Sequence, residues 1–474
     1  MKKWIVMLSV SLLPWQLHAE SYEDFAAEFQ GEFQEYKEEV NREFAEFVKK
    51  QWEEFQVFKG DKPYEEPKVD KPPVAEPKKE PQKVTTPVVK PVPVPPPPPP
   101  VKPAPQPKPK PSTPKATFVF YGEQVTIPYQ KSLGVKMGEP SKESVNAALE
   151  TLTKTDHAQT LKALQAYKKT MNLNDWGYYL LLRQFAGKLA KNENDANMIT
   201  WFLMLGSGYD TKVAYGDDTL YLFGAVDHQV YQTVFLKEEG KRYYILDPEG
   251  RKQRIGGVIS FKGNYPKSDK PLDYLMGDLR LPDSSKSRQL SFKYKGKPYN
   301  ITVEYNPNKV AFYQMAPQTA FELYFDAPVE YHSKKSLLSQ LEPLVAGRDE
   351  LDAVNFLLRF VQTSFKYATD DVQFKREKPL FPEETLYYPA SDCEDRSILF
   401  AYLVRKLLGL EVVALHYPGH LAAAVRFHGN VGGDSFEHKG KRFTVTDPTY
   451  IGADAGMTMP QFKKSSYKVV EMKL

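Results

Sequence analysis

Large apolar residues recur through the first sixty positions at Phe25, Phe29, Phe33, Tyr36, Val40, Phe44, Phe47, Phe55 and Phe58, with Glu and Lys between them. The steps make an eleven-residue period, clearest in Phe25, Tyr36, Phe47 and Phe58. That period keeps one stripe nearly straight along a helix, so a long amphipathic helix is predicted within residues 20–60. An aromatic stripe of this length needs a partner. The candidates are the rest of the chain, a membrane surface, or a second copy in self-association.

From Thr117 the pattern becomes alternation. Phe118, Phe120, Val125 and Ile127 flank Gly122, and Phe292, Tyr294, Tyr299 and Ile301 flank Gly296. Each reads as a β-hairpin around a glycine turn. Further echoes follow in the same order. The segment Gly240–Pro248 matches Gly440–Pro448, Trp201–Gly208 matches Tyr402–Gly409, and His228 matches His420. A tandem duplication is expected, with modules at 117–285 and 286–474, each mixing helices and sheet in an α+β fold.

Composition separates these modules from what precedes them. Of 39 prolines, 21 fall between Pro63 and Pro114, so residues 61–116 read as a polyproline II spacer rather than a packed core. Met1–Ala19 has Lys2 and Lys3, a short apolar stretch and a small residue before Glu20, the pattern of a cleaved signal peptide. Export to a periplasmic or secreted location is expected, with no lipid-anchoring cysteine. No later apolar run is long enough to cross a membrane, so no transmembrane segment is expected in the mature chain. The formal charge of +4 falls to +2 without Lys2 and Lys3, too weak a field for a nucleic-acid binder. A single Cys excludes an intramolecular disulfide and any multi-Cys metal site.

That cysteine carries the chemistry. Ser391 and Glu394 read as a capping box opening a helix that stops at Gly409. Cys393 then lies in the first turn, where the helix dipole favours a thiolate and free N–H groups can hold an oxyanion. Glu394 and Asp395 oppose the shift, so an imidazole is needed. His420 opens one expected strand and Asp447 ends another; adjacent antiparallel strands would set them side by side with the Cys393 helix packed across. Cys, His and Asp so placed suit thiol acyl transfer. Tyr387 or Tyr388 could donate to the oxyanion or simply pack. His416, His420, His428 and His438 crowd one region without a helical ligand spacing; no metal or cofactor is expected.

The segments Cys393–Ser397, Gly419-His420 and Thr446–Thr449, in that order, resemble the transglutaminase-like superfamily of papain-type folds over residues 340–474. The resemblance implies Cys393 as nucleophile, His420 as base and Asp447 as the group that orients the imidazole. It implies a cysteine peptidase or amidase acting on amide bonds of a peptide or protein substrate, with water or an amine as acceptor. In the first module His228 and Asp247 persist, but Asn192 stands where Cys393 stands in the second, so that module reads as a non-catalytic copy. The rival reading is a non-enzymatic exported scaffold built on such modules.

Overall fold

The computed structural model describes residues 113–474 apart from 249–254, 264, 266 and 474. The expected signal peptide, the helix within 20–60 and all but the end of the proline-rich spacer lie outside the described residues. What is described is α+β.

The first hairpin, β1 (Lys115–Phe120) and β2 (Glu123–Pro128), turns at Tyr121 and Gly122 with φ of 45° and 88°. Two consecutive left-handed residues make the turn whose twist matches the strands, and glycine takes the second place without strain. Phe118, Phe120, Val125 and Ile127 all face inward, as their alternation requires. Four helices follow: α1 (Lys142–Thr153), α2 (Ala158–Thr170), α3 (Asp175–Leu189) and α4 (Glu193–Gly206). A five-stranded sheet follows, formed by β3 (Thr211–Gly216), β4 (Thr219–Ala225), β5 (Phe235–Glu238), β6 (Lys241–Ile245) and β7 (Ile259–Ser260). Its order is β5-β6-β4-β3-β7.

The second half opens on the hairpin β8 (Lys286–Tyr294) and β9 (Lys297–Tyr305), turned at Lys295 and Gly296 in the same conformation. Its helices are α5 (Pro307–Tyr313), α6 (Phe321–Phe325), α7 (Tyr331–Val345), α8 (Glu350–Ser364), α9 (Asp370–Phe374), α10 (Pro382–Tyr387) and α11 (Cys393–Leu407). A two-strand parallel pair, β10 (Lys366–Tyr367) and β11 (Ala390–Ser391), lies just before α11. The second sheet comprises β12 (Glu411–Tyr417), β13 (His420–Arg426), β14 (Ser435–His438), β15 (Lys441–Thr446) and β16 (Lys468–Val470). Its order, β14-β15-β13-β12-β16, repeats that of the first sheet.

Helix α11 is buried nearly all round. Ile398, Leu399, Phe400, Ala401, Leu403 and Val404 are each at most 1% exposed, so the helix has no solvent stripe and is held by packing rather than propensity. It lies across β12 and β13 and against α8. Gly409, at φ 67°, ends it as expected. Apolar burial runs without a break from the first hairpin to β16. The halves are also pinned by polar links: the Trp176 indole N–H donates to the Met315 carbonyl at 2.8 Å, and Val230 bridges to Thr319. Among the described residues no helix is long and apolar enough to cross a membrane.

Strand pairing corrects one sequence match. Tyr417 pairs with His420 across the β12–β13 turn, and Gly216 pairs with Thr219 across the β3–β4 turn. The residue at the register position of His420 in the first sheet is therefore Thr219, not His228. His228 lies beyond β4 and its Nε2 meets Asp273 Oδ1 at 2.9 Å instead of Asp247. Similarity counted through a loop drifts, whereas ladder register is set by the alternation of faces. Helix starts make a smaller correction. Asn192 is the N-cap of α4, its side chain accepting the Asp195 N–H at 2.8 Å, so it corresponds to Asp392, and Glu193 corresponds to Cys393. Asp247 keeps its match to Asp447, because Phe223 pairs with Ile245 as Ala424 pairs with Val445.

Candidate active site

Cys393 is the first residue of α11, one position earlier than Ser391 capping would place it. The N-cap is Asp392, whose backbone N–H donates to Asp395 Oδ2 at 3.2 Å. Ser391 is drawn into β11 and its hydroxyl accepts from Arg396 Nε at 3.3 Å. Glu394 is thereby released from capping. Its Oε2 accepts the Cys393 thiol at 3.0 Å.

The imidazole and its carboxylate lie on neighbouring strands, as expected. β13 pairs antiparallel with β15, Ala423 opposite Thr446. His420, the first residue of β13, and Asp447, the residue after β15, then meet with Nε2 and Oδ2 2.8 Å apart, both buried. Asp447 is itself fixed, its Oδ1 accepting the Thr449 N–H at 2.9 Å. Gln362 of α8 donates to the carbonyls of Asp447, Tyr450 and Ala453, tying down the loop that carries the carboxylate. The ring of Phe462 stacks on the imidazole at 4.7 Å, the planes 8° apart. With Nε2 committed to Asp447, Nδ1 is the nitrogen left for proton transfer.

Cys393 and His420 line one cavity of about 520 Å³. Among the described residues the thiol hydrogen bond goes to Glu394 rather than to His420. Burial, then the charges of Glu394 and Asp392, push the thiol well above its usual range; a backbone hydrogen bond from Leu421 pulls the other way. In this arrangement the sulfur carries its proton. The helix dipole that favours a thiolate is outweighed by burial and then by the neighbouring Glu394 and Asp392.

The same wall holds an acidic group that the sequence reading did not assemble. Asp370, Asp392 and Glu394 each bring one carboxylate oxygen within 4.8 Å of the others. Burial, then the charge of Glu394, raises Asp370 to about 7. Burial and the charge of Asp395 hold Asp392 far above the carboxylate range. Oxygen donors suit a hard cation, and these three are the described residues that could supply part of its shell. Asp392 and Glu394 flank the cysteine in sequence, but Asp370 arrives only through the fold, at the start of α9. Tyr367 was also missed. It lines the cavity from β10, and the buried Arg396 guanidinium sits 5.4 Å from its ring centre.

The two tyrosines considered as oxyanion donors pack elsewhere. Tyr388 accepts from Gln314 Nε2, and Tyr387 stacks between Tyr305 and Tyr388; neither lines the cavity. The crowded histidines also disperse. His428 pairs with Glu350 at 2.7 Å, His438 with Glu471 at 2.6 Å, and His416 reaches the cavity rim.

Comparison of the chain with protein-family models, with curated proteins and with solved structures finds no match in any of the three.

Proposed function

We propose that this is an exported thiol acyl-transfer enzyme of transglutaminase-like type, acting on amide bonds of peptide or protein substrates. In this reading the second half is the catalytic module and the first a copy that has lost the site. The shared strand order supports the duplication, and Glu193 and Thr219 at the positions of Cys393 and His420 support the loss. The observation that carries the reading is the 2.8 Å His420–Asp447 pair, whose imidazole lines the same cavity as the chain's one thiol.

The chemistry follows from those three groups. Nδ1 of His420 takes the thiol proton while Sγ bonds to the substrate carbonyl carbon. Asp447 holds the ring and stabilises the imidazolium. The backbone N–H groups at the start of α11 face the developing oxyanion. The C–N bond breaks, the amine leaves with the proton from Nδ1, and a thioester remains on Cys393. Water then attacks the thioester carbon, gives a proton to Nδ1, and the C–S bond breaks to return the thiol. A primary amine in place of water gives transamidation. For either course the thiol must first leave Glu394.

A second reading, a non-catalytic exported scaffold, is favoured by one observation: the thiol is buried beside Glu394, to which it donates, and both push it well above its usual range. Incubation with a p-nitrophenyl acyl ester separates the two. The enzyme reading expects a burst of nitrophenol, with the acyl mass added at Cys393, absent in Cys393→Ala and slowed at least about 100-fold in His420→Ala. Equal acylation in wild type and His420→Ala would leave the scaffold.

A further inference from the structure

The cavity around Cys393 is built from both halves of the chain. Tyr231, in the segment after β4, lines it together with Phe321 at the start of α6 and Tyr367 of β10. Tyr231 is held in place by its backbone N–H, which donates to the Gln318 carbonyl at 2.9 Å. Its ring is nevertheless 45% exposed, unusual for a large side chain so anchored. Between these rings the wall is acidic. Asp371 and Glu377 stand exposed at the rim, and Asp370, Asp392 and Glu394 are buried on the floor. Lys468 is the one lysine or arginine side chain among the described lining residues, and His416 and His420 add imidazoles.

Two further observations point to a missing donor group. Asp392 is 5% exposed, and its Oδ1 is buried without a hydrogen-bond partner. A buried acid oxygen left unpaired is costly unless a donor arrives. The aromatic faces offer a second kind of attraction, since a ring quadrupole draws an organic cation and does not substitute for the oxygen shell of a metal ion. Rings and acidic groups lining one cleft together with a thiol suit the side chain of lysine or arginine.

We infer that this cleft carries a subsite for a cationic peptide side chain, its charge set against Asp371, Glu377 and the floor carboxylates and its stem against Tyr231, Phe321 and Tyr367. The inference rests on the acyl-transfer reading of the site and adds the class of peptide it takes. Tyr231 makes the first half a determinant of specificity although it carries no triad of its own.

The test is binding to the full mature chain carrying Cys393→Ala, by fluorescence anisotropy of labelled pentapeptides that differ only in one central residue. Lysine or arginine is expected to bind at least about tenfold tighter than norleucine, with glutamate weakest. The preference should vanish in Asp371→Asn/Glu377→Gln, both exposed sites whose exchange leaves the fold intact, and weaken several-fold in Tyr231→Ala. Equal binding of lysine and norleucine peptides, no binding of any peptide, or a preference untouched by these variants would overturn it. Acylation of the wild-type thiol by the nitrophenyl ester reports the triad separately. Acylation without lysine preference removes only the subsite. Lysine preference without acylation removes the enzyme and leaves a cation-binding cleft.

Discussion

The Cys393 thiol donates a hydrogen bond to Glu394 Oε2, 3.0 Å away on the next residue of the same helix turn. The partner that the chemistry needs, His420, waits on the far strand with Nε2 already bound to Asp447. The resting site is therefore held by a local carboxylate, and replacing it should release the thiol. Glu394→Gln removes a charge that raises the thiol, so iodoacetamide should alkylate Cys393 about tenfold faster at pH 8. An unchanged rate would show that Glu394 does not restrain the sulfur.

Phe462 lies parallel to the His420 ring at 4.7 Å, with Tyr417 tilted against Phe462 at 5.1 Å and 6.2 Å from the imidazole. The stack fixes the imidazole plane that Asp447 alone would leave free to tip. Phe462→Ala should slow Cys393 acylation by about tenfold, while Phe462→Tyr keeps most of the rate. Near-UV circular dichroism of both variants checks that packing elsewhere survives.

Helix starts put Glu193 at the place of Cys393, and strand register puts Thr219 at the place of His420. A thiol placed there by Glu193→Cys, in a Cys393→Ala background, should react as an ordinary thiol with a pKa of about 8.5. Adding Thr219→His should raise its alkylation rate several-fold at pH 7. His228 should have no effect on either rate, because it is held by Asp273 instead.

Burial raises the carboxyl of Glu383 from 4.5 to about 7 in the folded chain. A raised acid binds its proton more tightly when folded, so its contribution is fully present below pH 4.5 and is lost as pH rises towards 7. The loss amounts to on the order of 3 kcal/mol for this site. Urea unfolding between pH 4.5 and 8 should show stability falling with pH, and Glu383→Gln should flatten that slope. A parallel pH dependence in the variant would assign the slope to other buried acids such as Asp370, which is also raised to about 7.

Much of this arrangement is legible in sequence because it depends on local pattern. The hairpins around Gly122 and Gly296 follow from alternation and one left-handed residue pair. The α11 stop follows from Gly409, and the meeting of His420 with Asp447 follows from two strands that must be neighbours. What is not legible depends on competition or on distance. Ser391 and Asp392 are both good N-caps, and the choice falls to Asp392 because Ser391 is claimed by β11. Asp370, Tyr367 and Tyr231 reach the cleft from segments whose sequence carries no motif, so only packing brings them there. His228 misleads because sequence similarity runs on past the end of the strand that sets the register.

Phe462 and Lys468 lie within the last thirteen residues of the chain, yet one covers the imidazole and the other borders the cleft. A growing or threading polypeptide therefore presents its sulfur, its ring and its carboxylate before it owns the wall that shapes them. In the acyl-transfer reading, the imidazole gains its stacked ring and the cleft its lysine only once the segment carrying Phe462 and Lys468 has docked.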